Sequence, residues 1–188
     1  MAGPPAIVGG IDAVFLDRDG TLNMKAPEGS YVTGPGELRL LAGVGRAVRR
    51  LNDAGLLVLC VTNQRGVALG TMTMGAVHGV NRELQRRLRR SGARVGRFYV
   101  CPHEAGTCNC RKPLPGLLLQ AKADYPWLRL ANCVMVGDTE HDVTAGLAAG
   151  AAAIRLGPPG TVSQAAAVYQ GLPGAVDAIM AWAVAPAG

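Results

Sequence analysis

At 188 residues the chain has room for one sizeable core and little for a second. Hydrophobic residues make up 49% and charged residues 17%, a globular balance that excludes extended disorder, and no apolar run is long enough to cross a bilayer. The net charge of +6 raises the question of a nucleic-acid partner, but aromatic residues are only 4% of the chain, too few for a base-stacking surface.

In chain order, Met1 to Gly10 has neither a basic region nor a long apolar segment, so no secretory signal is expected there. Ala13 to Leu16 reads as a short buried strand that ends in Asp17-Arg18-Asp19-Gly20-Thr21. Side-chain alternation lets Asp17 and Asp19 leave the same side while Arg18 points away. Asn23 to Leu40 is rich in Gly and Pro and reads as a surface flap. Val44 to Ala54 carries apolar residues at helical spacing and stops at Gly55. Leu56 to Val61 is a continuous apolar run, the pattern of a strand covered on both faces.

Thr73 to Ser91 reads as a long helix whose arginines (Arg82, Arg86, Arg89 and Arg90) share one side, a solvated outer face. Arg97 to Val100 is a strand leading into a cysteine-rich loop, Pro115 to Tyr125 a helix, and Cys133 to Val136 another buried strand. A helix to Ala149, a strand from Ala151 to Leu156 and a closing helix from Leu172 to Val184 complete the chain. The alternation predicts a single α/β domain over residues 1–188: a three-layer, Rossmann-like, mostly parallel sheet with helices on both faces.

The polar residues collect at strand ends, where ligands bind in open α/β sheets. Asp17 and Asp19 follow the first strand, Thr62-Asn63-Gln64 the second, and Asp138 a later one, with Arg111-Lys112 in a loop before a helix. Three converging carboxylates suit Mg²⁺, a hard cation that takes oxygen ligands. Lys112 and the Thr62 hydroxyl would then face a bound phosphate beside an acidic nucleophile. Taken singly, Thr62 could be a helix cap and Asp142 a helix-surface acid.

Cys101, His103, Cys108 and Cys110 supply three thiols and an imidazole within ten residues, the composition of a closed, structural Zn²⁺ site. A redox pair at Cys108 and Cys110, or simply exposed thiols, are the alternatives. Cys60 and Cys133 lie in apolar strands as small core residues. This cysteine usage points to a reducing compartment, the cytoplasm.

Asp17-Arg18-Asp19-Gly20-Thr21-Leu22-Asn23, Thr62-Asn63-Gln64-Arg65-Gly66, Arg111-Lys112-Pro113-x-Pro115-Gly116 and Gly137-Asp138-x-x-x-Asp142 stand in one order along the chain. In this the chain resembles phosphatases of the haloacid dehalogenase superfamily, and within it the heptose-bisphosphate and histidinol-phosphate phosphatase group. The resemblance implies hydrolysis of a phosphomonoester through an aspartyl-phosphate on Asp17, with Asp19 as general acid and base. It implies Mg²⁺ held by Asp17, the Asp19 carbonyl oxygen and Asp138, phosphoryl oxygens steadied by Thr62 and Lys112, and Asp142 orienting Lys112 or a metal-bound water. Asn63, Gln64, Arg65, Arg111 and Tyr31 would contact the substrate, a small phosphorylated sugar or polyol. A heptose bisphosphate losing its C7 phosphate leads, with histidinol phosphate or another small sugar phosphate the alternative. The group also carries a zinc loop at this point, which would fix Arg111 and Lys112. The superfamily often inserts a cap domain; since the possible insertion points here hold only the flap (23–40) and this short loop (101–112), no large cap domain is expected. No nucleic acid or membrane partner is expected, and nothing marks a self-complementary apolar surface, so a monomer is the default. A zinc-stabilised nucleic-acid module using the arginine-rich helix is the distant alternative.

Overall fold

In the computed structural model residues 10–184 are described, so the segment over which no secretory signal is expected lies almost wholly outside them. Six strands form one parallel sheet: β1 (Ala13–Leu16), β2 (Leu57–Asn63), β3 (Arg97–Cys101), β4 (Cys133–Gly137), β5 (Ala152–Leu156) and β6 (Ala167–Tyr169). Their order across the sheet is β3-β2-β1-β4-β5-β6. The chain works outward from β1 to β3, then crosses back to place β4 on the other side of β1. The crevice at the carboxyl ends of β1 and β4 is therefore the topological switch point, where such sheets bind ligands.

The helices are α1 (Val44–Asp53), α2 (Met74–Arg89), α3 (Gly116–Asp124), α4 (Glu140–Ala148) and α5 (Leu172–Val184). Period-two alternation divides the core. Val14 and Leu16 join Val48, Leu84 and Val176 from α1, α2 and α5 on one face, while Ala13 and Phe15 join Leu118 and Ala145 from α3 and α4 on the other. Register holds the strand ends level, with Phe15 opposite both Leu59 and Met135. Thr73 caps α2 by accepting from the Ala76 N–H at 3.1 Å, and Gly55 ends α1 with a left-handed φ of 77°.

The helices and five of the strands lie where the sequence places them, within two residues at each end. One strand was not legible: β6 is a three-residue edge strand whose residues are only half-buried. The flap has no helix or strand of its own. It is pinned by the Met24 N–H donating to the Arg39 carbonyl at 2.8 Å and by the buried side chains of Val32 and Leu38.

The two sides of α3 give a direct test of where the core sits. Leu118 is fully buried and Leu119 is 48% exposed. Leu118→Ala should lower the free energy of unfolding by about 2–5 kcal/mol in urea titration, whereas Leu119→Ala should change it by less than about 0.5 kcal/mol.

Candidate active site

Asp17 stands one residue past β1 and is buried, and the group opposite it is Lys112. The Lys112 ammonium is 3% exposed and donates to Asp17 Oδ1 at 2.7 Å, to Asp142 Oδ1 at 2.6 Å and to the Val61 carbonyl at 2.8 Å. Its three protons therefore have three acceptors. Burial would depress this ammonium, but Asp17 and Asp142 outweigh it and hold it above the usual lysine range. Burial would raise Asp142, and Lys112 with Thr139 keeps it low. For Asp17 burial wins: against the pull of Lys112, and helped by Asp142 and Asp19, it pushes the carboxyl up to about 7.

Asp142 has two tasks at once. Its Oδ2 accepts from the Thr139 N–H at 3.0 Å and from the Thr139 hydroxyl at 2.6 Å, opening α4, while Oδ1 holds Lys112. Asp138, at the end of β4, is also raised by burial, and its Oδ2 meets the Lys25 ammonium at 2.5 Å. Gly20 makes this approach possible. Its φ is +93°, and a Cβ there would lie 2.2 Å from Asp138 Oδ2.

The donor set fits a hard divalent cation. Asp17, Asp138 and Asp142 each offer an oxygen, all within 4.8 Å of one another, and Asp138 Oδ1 is buried with no hydrogen-bond partner. Because both Asp142 oxygens are already bound, Asp17 and Asp138 are the carboxylates left for an ion. The Asp19 carboxylate is not part of this ligand group and is held by other side chains. Its Oδ1 accepts from Asn23 Nδ2 at 2.8 Å, and its Oδ2 from Gln64 Nε2 at 2.8 Å and Arg18 Nη2 at 2.9 Å.

Several residues read as substrate contacts have other partners. Gln64 is buried and bonds both Asp19 and the Thr62 hydroxyl oxygen, the latter at 2.8 Å, which leaves the Thr62 proton free to donate. The Asn63 amide makes a two-bond clamp with the Lys112 backbone: Nδ2 donates to its carbonyl at 2.9 Å, and Oδ1 accepts from its N–H at 3.1 Å. Arg65 pairs with Glu104 at 2.6 Å, and Arg111 reaches the His103 carbonyl at 3.4 Å. Tyr31 lines a pocket of 250 Å³ together with Asp19, Asn63 and Lys25. A larger groove of 730 Å³ lies outside α2, lined by Arg82, Arg86 and Arg89 and by none of these acids. Sequence reasoning missed Lys25, which no motif marks, and the buried Arg18, which alternation along the strand only turned aside.

Beside this crevice Cys101, His103, Cys108 and Cys110 gather their ligand atoms within 4.8 Å. Neighbouring atoms lie 3.2–3.8 Å apart. That is close to the roughly 3.3–3.8 Å edges of a tetrahedron built on zinc–nitrogen and zinc–sulfur bonds of about 2.0–2.3 Å. Burial pushes the Cys108 thiol up, but hydrogen bonds from the Cys110 thiol and from the Cys110 and Arg111 backbone N–H groups bring it down to about 6. Burial and the neighbouring thiols raise Cys110 to about 12.

Residues 109–157 match the HAD-hydrolase-like family. The chain is 36% identical over 168 residues to the D-glycero-β-D-manno-heptose-1,7-bisphosphate 7-phosphatase of Yersinia pestis, covering 84% of this chain and 87% of that one. It is 37% identical over 131 residues to the D-glycero-α-D-manno-heptose-1,7-bisphosphate 7-phosphatase of Mycobacterium tuberculosis, covering 69% and 68%. Among solved structures, the D,D-heptose 1,7-bisphosphate phosphatase of B. bronchiseptica, complexed with magnesium and phosphate, superposes with a TM-score of 0.83 at 28% identity, covering 91% of this chain and 99% of that one.

Two outcomes follow from the electrostatics. In metal-free protein at pH 7, iodoacetamide should label Cys108 ahead of Cys101 and Cys110, and one equivalent of Zn²⁺ should suppress it, as read by mass spectrometry. Asp17 holds a proton in the native state between about pH 4 and 7 that the unfolded chain, with a carboxyl near 3.9, has already lost. Its contribution to stability therefore falls as pH rises through that window. Metal-free Asp17→Asn should unfold at a higher temperature than the parent at pH 8, with the difference shrinking toward pH 4.

Proposed function

This chain belongs to the family of HAD-like heptose-bisphosphate phosphatases, and from that premise we propose that it releases the C7 phosphate of D-glycero-D-manno-heptose 1,7-bisphosphate by way of an aspartyl-phosphate on Asp17. The observation that carries the chemistry is the buried Asp17 facing Lys112 at 2.7 Å, at the switch point of the sheet. A carboxylate nucleophile beside an anionic phosphoryl group needs such a cation.

In the first half-reaction an Asp17 oxygen bonds to phosphorus as the P–O bond to the sugar breaks, and Asp19 gives its proton to the departing alkoxide. In the second, water bonds to phosphorus, the acyl-phosphate P–O bond breaks, and Asp19 takes the water's proton. Lys112 and the Thr62 hydroxyl supply positive ends to the phosphoryl oxygens. Asp17, Asp138 and the Asp19 carbonyl would hold Mg²⁺, which neutralises charge on the transferring group when bound. Asp142 keeps Lys112 in place. Tyr31, which shares a pocket with Asp19, and Arg65 and Arg111 are assigned to the remainder of the substrate, with Asn63 and Gln64 shaping the crevice through the groups they hold. Zn²⁺ in the cysteine loop would be structural, ordering the segment that carries Arg111 and Lys112. We assign the whole chain to one catalytic domain working as a cytoplasmic monomer.

The test is kcat/KM, measured side by side on both anomers of the heptose bisphosphate and on histidinol phosphate. The better heptose anomer should exceed histidinol phosphate at least tenfold, about 1.4 kcal/mol of transition-state preference. Asp17→Asn and removal of Mg²⁺ should each abolish phosphate release. Faster turnover of histidinol phosphate would reassign the substrate, and an active Asp17→Asn would overturn the mechanism.

A further inference from the structure

Among the described residues Arg18 is the largest fully buried side chain, and no step above uses it. A guanidinium keeps its charge at any working pH, so burying one needs compensating partners. Arg18 has two. Nη1 donates to Asn81 Oδ1 on α2 at 3.1 Å, and Nη2 reaches both oxygens of Asp19, at 3.2 and 2.9 Å. Asn81 is itself only 5% exposed. The guanidinium thus spans from a packed helix to the acid, one nitrogen at each end.

We propose that Arg18, tethered by Asn81, is a positioning residue that fixes the Asp19 carboxyl for its proton transfers. Asn23 and Gln64 also hold Asp19, but each is shared: Asn23 Nδ2 serves the Met24 carbonyl as well, and Gln64 Nε2 the Thr62 hydroxyl. Arg18 is the contact that refers Asp19 to the rigid body of the fold, through a helix whose Val80, Leu84 and Leu88 are buried in the core. A carboxyl released from it keeps its chemistry and loses its aim, and proton transfer depends steeply on aim. This inference rests on the assignment of Asp19 as acid and base.

The experiment compares two leaving groups. Departure of a sugar alkoxide needs a proton from Asp19, whereas departure of p-nitrophenolate does not. In Asn81→Ala, kcat/KM on the heptose bisphosphate should fall about tenfold, and in Arg18→Lys about a hundredfold, within the range of general acid catalysis. On p-nitrophenyl phosphate both variants should stay within about threefold of the parent. Equal losses on the two substrates would make the pair merely structural, and no loss on either would make it idle; both results overturn the proposal. Should Arg18→Lys fail to fold, Asn81→Ala carries the test alone. Asp19→Asn separates the two levels of inference. If it shows no such leaving-group dependence, the assignment of Asp19 fails and the positioning role falls with it; if it does and the Arg18 and Asn81 variants do not, only the positioning role fails.

Discussion

An ammonium group with almost no access to water sits between two carboxylates and a strand carbonyl, and the organisation of the crevice follows from it. Removing Lys112 from water costs several kcal/mol unless each proton finds an acceptor, and here Asp17, Asp142 and Val61 provide them. Those acceptors come from the end of β1, the first turn of α4 and the interior of β2. The lysine is thus a junction of three elements as well as a charge. Its own segment is fixed from the other side by the Asn63 amide, which grips the Lys112 backbone at both ends. The thiol and imidazole cluster adjoins the same segment, with Cys110 two residues before Lys112. Chemistry and architecture converge on one side chain because a buried cation tolerates no slack in its partners.

The fold was largely legible in the sequence because the strands are fully buried. Val14, Phe15, Val134 and Met135 are shielded on both faces, and such strands read as unbroken apolar runs. The carboxylates were legible for the opposite reason: two acids one residue apart at the end of an apolar strand have no cheap structural explanation. What escaped was orientation. Whether Gln64 faces a ligand or turns inward to Asp19 is decided by side chains from another strand. Asn81 lies 63 positions from Arg18, with no local pattern to link them. β6 escaped because three half-buried residues on a sheet edge carry too little hydrophobic contrast to register.

Acids near Asp17 are held in two different ways. Asp142 is pinned below its ordinary range by a lysine and a helix start, whereas Asp17 and Asp138 are pushed upward by burial. A crevice with one satisfied and two dissatisfied carboxylates is a poor arrangement for an empty protein. It is a good one for a site that takes a dication, whose charge supplies what the burial withholds.

Asp142 also bears on how this molecule could change over generations. One carboxylate starts α4 and seats the lysine, so the two duties share a single codon. Drift there cannot trade stability for turnover, since any replacement unravels a helix end and loosens a charge in the same stroke. Adaptive variation must accordingly be sought elsewhere: in the flap around Tyr31, in the outward rim of α3 at Leu119, or at Trp127, where a new side chain meets solvent before it meets anything else.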